Sequence, residues 1–174
     1  MKCHPMICRI LDATEGIFVQ RVVVTRSEEV ASLCRERGVQ TVLHSLPHRS
    51  DTVRLGLEAL GELDCCMFLP GDQPLLRRET VVRLIRCWEE HRERIVRPAY
   101  GGSPGAPVMF PAWAFPELLN LPEGKGGGAL IRKYPDRVRC MEVADPRELM
   151  DVDTPEDLKQ LARMAEESTS FHKR

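Results

Sequence analysis

Two acidic motifs stand at loop positions where a carboxylate can do chemistry. The first is Asp72, within Phe68-Leu69-Pro70-Gly71-Asp72-Gln73-Pro74-Leu75-Leu76, and the second is Asp151-Val152-Asp153. A loop stiffened by Pro70 and Pro74 holds its carboxylate rigidly, which suits a hard cation such as magnesium that demands oxygen ligands in a near-octahedral shell. Gly71 is expected to let the backbone turn sharply just before Asp72. Two carboxylates brought together from distant loops would repel each other in a dry site, and a bound cation removes that penalty. Each motif has a plain structural alternative. Asp72 could be a turn aspartate that hydrogen-bonds its own backbone, and Asp153 an acid favoured by a helix dipole. As a pair, they favour a magnesium site at Asp72 and Asp153, with Asp151 as the alternative ligand.

Two glycine-rich loops, Gly101 to Pro107 and Glu123 to Gly128, would let backbone amides approach a phosphate or a flat heterocycle, although ordinary turns use the same residues. Ser50-Asp51-Thr52 at a helix start could bind phosphate through backbone N–H groups. Asp51 opposes that, and Ser50 reads more naturally as the helix N-cap. His44, His48 and Arg49 lie in the preceding loop and can line a cleft or face solvent.

The elements that must position these residues alternate along the chain. Cys65 to Leu69 is an apolar run that reads as a buried strand ending at Asp72, and ligands of open α/β sheets bind beyond the carboxyl ends of strands. Further strands are expected at Arg21–Thr25, Val39–Leu43, Ile95–Ala99, Val108–Phe110 and Val138–Val143, with a possible last one at Leu149–Val152. Helices are expected over Pro5–Thr14, from Ser27 to Arg37, after Ser50, and over Glu79–His91, Ala112–Leu119 and Ala129–Tyr134. A final helix starts at Thr154-Pro155-Glu156-Asp157, with Thr154 as cap, and Glu166 to Arg174 is expected to fray. This alternation predicts a three-layer αβα domain with a mostly parallel sheet.

Composition bounds the function. The chain has 174 residues, 43% hydrophobic and 29% charged, which suits one soluble domain over residues 1–174. A formal net charge of -1 argues against a nucleic-acid surface. No apolar stretch suits a membrane span or a signal peptide, and seven cysteines without a C-x-x-C pair read as reduced core residues of a cytoplasmic protein.

In order and spacing, the chain resembles the molybdenum-cofactor nucleotidyltransferases. The resemblance is carried by Ser50-Asp51-Thr52-Val53-Arg54-Leu55-Gly56-Leu57, Leu69-Pro70-Gly71-Asp72-Gln73-Pro74, Arg97-Pro98-Ala99-Tyr100, Gly105-Ala106-Pro107-Val108, Lys125-Gly126-Gly127 and the segment Asp151 to Leu158. It implies a Rossmann-like, GT-A-type αβα fold and transfer of CMP or GMP from the triphosphate to the terminal phosphate of molybdopterin. The ending D-x-D-T-P-E-D-L resembles the cytidylyl branch, so CTP is expected over GTP. By the same resemblance Asp72 and Asp153 hold magnesium. Pro70, Gly71, Ser50 and Thr52 face the nucleotide, and Gly105, Pro107, Lys125, Gly126 and Gly127 face the pterin. The product would serve the maturation of a molybdenum hydroxylase. The family's first strand and its glycine-rich loop, L-A-A-G-x-S-x-R-x-G, have no counterpart here, and Ala106 stands where relatives often have histidine. Two other readings are a sugar-phosphate nucleotidyltransferase of the same fold and a non-catalytic cofactor-binding partner. Without the first strand, the strand at Arg21–Thr25 is expected to pair directly with Cys65–Leu69, or else to leave a slot for a partner's strand.

Overall fold

The computed structural model describes residues 6–152, 154, 156 and 157. Asp153, Pro155, the first five residues and everything beyond 157 lie outside them, and with them the expected course of the last helix and the frayed tail.

Local sequence accounts for the helix ends. Ser27 is extended (φ -97°, ψ 119°) and its hydroxyl accepts from Val30 N, starting α2 (Glu28–Glu36) with Glu28 and Glu29 in its first turn. The turn after α2 needs a positive φ, which Gly38 supplies at 67°. α1 (Met6–Ala13) ends where the Thr14 hydroxyl donates back to Ile10 O at 2.8 Å. At Thr154 the expected cap is present: its backbone N–H and hydroxyl both donate to the Asp157 carboxylate at 2.8 Å.

Two sheets form. β1 (Val22–Thr25) and β2 (Gln40–Leu43) pair in parallel. The larger sheet contains β3 (Cys65–Phe68), β4 (Ile95–Tyr100), the two-residue β5 (Ser103–Pro104), β6 (Val108–Pro111) and β7 (Val138–Glu142). β6 lies between β3 and β4 and is antiparallel to both, while β7 is parallel to β4. β3, β4 and β7 therefore share one direction, and β6 reverses it. The direct pairing of the Val22 strand with the Cys65 strand does not form. Among the described residues β1 bonds only to β2 and β3 only to β6, and no described strand bonds to both.

Alternation along the strands separates two cores. Cys66, Phe68, Ile95, Val108 and Phe110 face α3 (Arg49–Leu60), α5 (Phe115–Leu119) and α6 (Gly128–Lys133) through Leu57, Leu118 and Leu130. Cys65, Met67, Val96 and Met109 face α4 (Arg78–Glu90) through Leu84 and Trp88. The result is the expected αβα layering. α1 links the two sheets: Ile10 packs with Leu76 and Val81 near Met67, while Leu11 packs with Cys34, Val39 and Val23. The thiols of Cys8 and Cys34 are buried, and burial, then the neighbouring Cys65, pushes the Cys66 thiol up to about 12, so these behave as core residues. No described helix is long and apolar enough to cross a membrane.

Two expectations about element ends are corrected. The N-cap of α3 is His48, not Ser50. His48 is extended (φ -98°, ψ 148°), and its N–H donates to the Asp51 carboxylate at 3.2 Å. A carboxylate at the third helical position can satisfy that N–H, so the helix begins one residue before Ser50, which lies inside it and is buried. The last strand expected at Leu149–Val152 is absent. Pro146–Leu149 is a 3₁₀ turn started by Asp145, whose side chain accepts from Arg147 N. An Asp-Pro pair favours this local bond over a ladder.

Candidate functional site

The loop after β3 and the segment 145–152 are stitched together along their length. Arg77 pairs with Asp145 at 2.7 Å, and Arg77 N donates to Glu148 Oε2 at 3.1 Å. Gln73 Nε2 donates to Leu149 O at 3.3 Å and to Asp151 Oδ1 at 2.9 Å. Val152 N donates to Asp72 O at 2.8 Å. Asp72 and the acidic motif at 151 thus meet, although 79 positions separate Asp72 from Asp151 in sequence. The hydrogen bonds from Arg147 hold the Asp145 carboxyl below its usual range and keep it an acceptor.

These residues line a cleft of ≈ 330 Å³. Pro70, Asp72, Gln73 and Asp151 line it from the two tied loops, and Arg97, Pro104, Gly105, Ala106, Arg49 and Leu149 complete the lining. Gln73 is only 2% exposed, and its amide spends its donors on the 149–151 segment. It was not singled out as a site residue from sequence. Its sequence neighbours carry no signal for this burial, which depends on the distant 149–151 segment. Arg97 was also missed. It is the one charged residue of β4, between buried Val96 and buried Pro98, and its Nε donates to Gly105 O at 2.9 Å.

The structure separates the other expected site residues. Gly105 packs on Leu149, for a Cβ there would sit 3.0 Å from Leu149 Cδ1. Gly126 lies under Arg49, and a Cβ would come within 3.2 Å of Arg49 Cδ. Gly127 rests on the core, since its Cβ would fall 2.7 Å from Phe110 Cζ. Pro107 is fully buried, after a cis peptide from Ala106, and Lys125 is exposed. The Thr52 hydroxyl is 3.3 Å from His44 Nε2. Ser50, Thr52, Pro107, Lys125 and Gly127 do not line the cleft. Gly71 is exposed and has no positive φ, so the turn does not depend on glycine there. Asp153 lies outside the described residues.

Among the described residues no group of three His, Cys, Asp or Glu side chains could hold a metal ion. The donors present are carboxylate oxygens of Asp72 and Asp151 on two tied loops. That set fits magnesium, which keeps several waters and takes one or two carboxylates plus substrate phosphates. A second cleft, ≈ 270 Å³, opens by Asp12, Arg21 and Arg37. There Arg37 pairs with Asp12, and Arg21 donates to Leu11 O at 2.9 Å.

Comparison with known proteins bears on the family and the fold. The chain is 33% identical over 89 residues to the 3-deoxy-manno-octulosonate cytidylyltransferase of Acinetobacter baumannii (strain ATCC 17978), covering 48% of this chain and 35% of that protein. The curated relatives are matched over only 35% to 42% of their own length. Rv0371c from Mycobacterium tuberculosis H37Rv superposes with a TM-score of 0.76 at 25% identity, covering 90% of this chain and 83% of that one, and its manganese complex with a TM-score of 0.69 at 21% identity, covering 90% and 84%. The molybdopterin-guanine dinucleotide biosynthesis protein A from Archaeoglobus fulgidus shares the fold, with a TM-score of 0.67 at 19% identity over 93% of this chain and 86% of that one. The family profile spans residues 2–138, taking in the Asp72 loop, Arg97 and both glycine-rich loops, and by that match the chain belongs to the family of MobA-like NTP transferase domains.

Proposed function

We propose that this cleft transfers CMP from CTP to the terminal phosphate of molybdopterin, in the maturation of molybdenum hydroxylases. An oxygen of the pterin phosphate attacks the α-phosphorus in line, the bond from that phosphorus to the bridging oxygen breaks, and pyrophosphate leaves. No protein nucleophile takes part. The observation that carries the reading is the 2.8 Å bond from Val152 N to Asp72 O, which sets the Asp72 loop, beyond the carboxyl end of β3, against the second acidic motif.

Asp72 and Asp151 would hold a magnesium ion, and Asp153, the ligand expected from sequence, lies outside the described residues. Bound there, the ion would supply charge neutralisation on the phosphates. The chain's own residues do the positioning. Gln73 fixes one oxygen of Asp151 and leaves the other for the cleft. Pro70 lines the part given to the nucleotide and Gly105 the part given to the pterin, while Gly126 lies against Arg49 of the same lining. CTP is supported by the cytidylyltransferase names of the curated relatives, and the pterin by the Archaeoglobus neighbour and the motif spacing.

The same relatives favour a second reading, in which the acceptor is a sugar acid or sugar phosphate. An acceptor screen on the full-length protein with labelled CTP separates the two. Label transfer that requires molybdopterin is the expected result, and turnover with a sugar acceptor alone overturns the pterin assignment.

A further inference from the structure

The cleft is bipolar. Its lining holds two guanidinium groups, Arg49 and Arg97, beside Asp72 and Asp151, and neither arginine forms an ion pair with a carboxylate among the described residues. Arg97 is the more telling. It projects from a strand with neighbours on both sides, flanked by buried Ile95, Val96, Pro98 and Ala99. Burial lowers its proton affinity from the ordinary value, yet a guanidinium stays charged at any physiological pH. A half-buried cation without a counter-ion is costly. Its Nε is committed to Gly105 O at 2.9 Å, which fixes the plane of the group and leaves the two terminal nitrogens for another acceptor. Arg49, the first residue of α3, is held by the glycine beneath it: any side chain at position 126 would meet its Cδ and Nε at 3.2 Å.

From this arrangement we infer a phosphate subsite in which Arg97 and Arg49 clamp a phosphoryl dianion of the substrate beside Asp72 and Asp151. It deepens the reading of the cleft as a phosphoryl-transfer site and rests on that reading. The chemistry favours phosphate, because a planar guanidinium with two parallel N–H groups matches two phosphate oxygens. The dianion is either the acceptor's phosphomonoester or the pyrophosphate that leaves. Arg97 also explains Gly105: the carbonyl that orients the guanidinium sits on a residue packed too tightly on Leu149 to carry a side chain.

The test is calorimetric titration of the full-length protein with glycerol phosphate, pyrophosphate and acetate, at low salt and without divalent metal. Saturable binding of at least one phosphate compound is expected, at least tenfold tighter than acetate. Arg97→Gln and Arg49→Gln should each weaken it at least tenfold, and Arg97→Lys should restore part of it. Asp72→Asn should leave it equal or tighter, since a negative charge is removed from the same lining. Arg49 is exposed, so Arg49→Gln keeps the test decisive even if Arg97→Gln fails to fold. Glycerol phosphate binding at least as tightly as pyrophosphate assigns the subsite to the acceptor, and a tenfold preference for pyrophosphate assigns it to the leaving group. The inference is overturned by an absence of saturable phosphate binding, by acetate binding as tightly, or by unchanged affinity in both glutamine variants. Loss of metal affinity in Asp72→Asn with phosphate binding retained separates this subsite from the cation site.

Discussion

Asp72→Asn is expected to lower pyrophosphate release from CTP by the full-length protein more than about 100-fold, while the melting temperature stays within about 2 °C. The tie between the two acidic loops runs through the backbone carbonyl of Asp72, which accepts from Val152 N at 2.8 Å, so the substitution leaves that bond in place. Arg77 with Asp145 and Gln73 with Leu149 O hold the same loops independently of the side chain. The change therefore removes one negative charge and one hard oxygen ligand from the cleft while these ties between the loops remain. Turnover and thermal melting measured side by side check it. Wild-type turnover in the variant would remove Asp72 from the chemistry.

Phe110→Ala is expected to destabilise the fold by about 3–5 kcal/mol, lowering the melting temperature by about 6–20 °C. Phe110 is 1% exposed, meets Phe68 edge-on at 5.5 Å, and stands in the antiparallel strand between β3 and β4. Its ring also forms the floor beneath Gly127. Removing it opens a cavity under one sheet face and leaves the glycine-rich loop unsupported. The reverse fault, Gly127→Ala, drives a Cβ to 2.7 Å from the ring and should cost about 1–3 kcal/mol by overpacking. Urea unfolding of the two single variants reads both effects. If Gly127→Ala were neutral, the loop would have to be free to lift off Phe110.

Asp72 was legible in the sequence because its signal is local: an apolar strand, a proline-bounded turn, then a helical pattern. Ser27 and Thr154 were legible as caps for the same reason, since a hydroxyl bonds N–H groups two or three residues away. The place of β6 was not. Val108-Met109-Phe110 reads as a buried strand, but an apolar run carries no direction, and its antiparallel insertion between β3 and β4 depends on partners distant in sequence. The separation of β1 and β2 from the larger sheet is non-local in the same way. At His48 and at Asp145-Pro146, local patterns competed, and the side-chain bond of Asp51 or Asp145 decided the outcome. Of the cleft lining, Asp72, Asp151 and Gly105 stand in local motifs. Arg49 on α3, Arg97 on β4 and the tie made by Gln73 join them through contacts between segments distant in sequence.

The most direct test of the central claim, that two loops distant in sequence build one divalent-cation site, is a titration of the full-length protein with Mn2+ read by loss of the free-ion paramagnetic resonance signal. The account predicts one site in the wild type, weakened at least about tenfold by Asp72→Asn and again by Asp151→Asn. Binding of equal affinity and stoichiometry in all three proteins, or no binding in any, would contradict it.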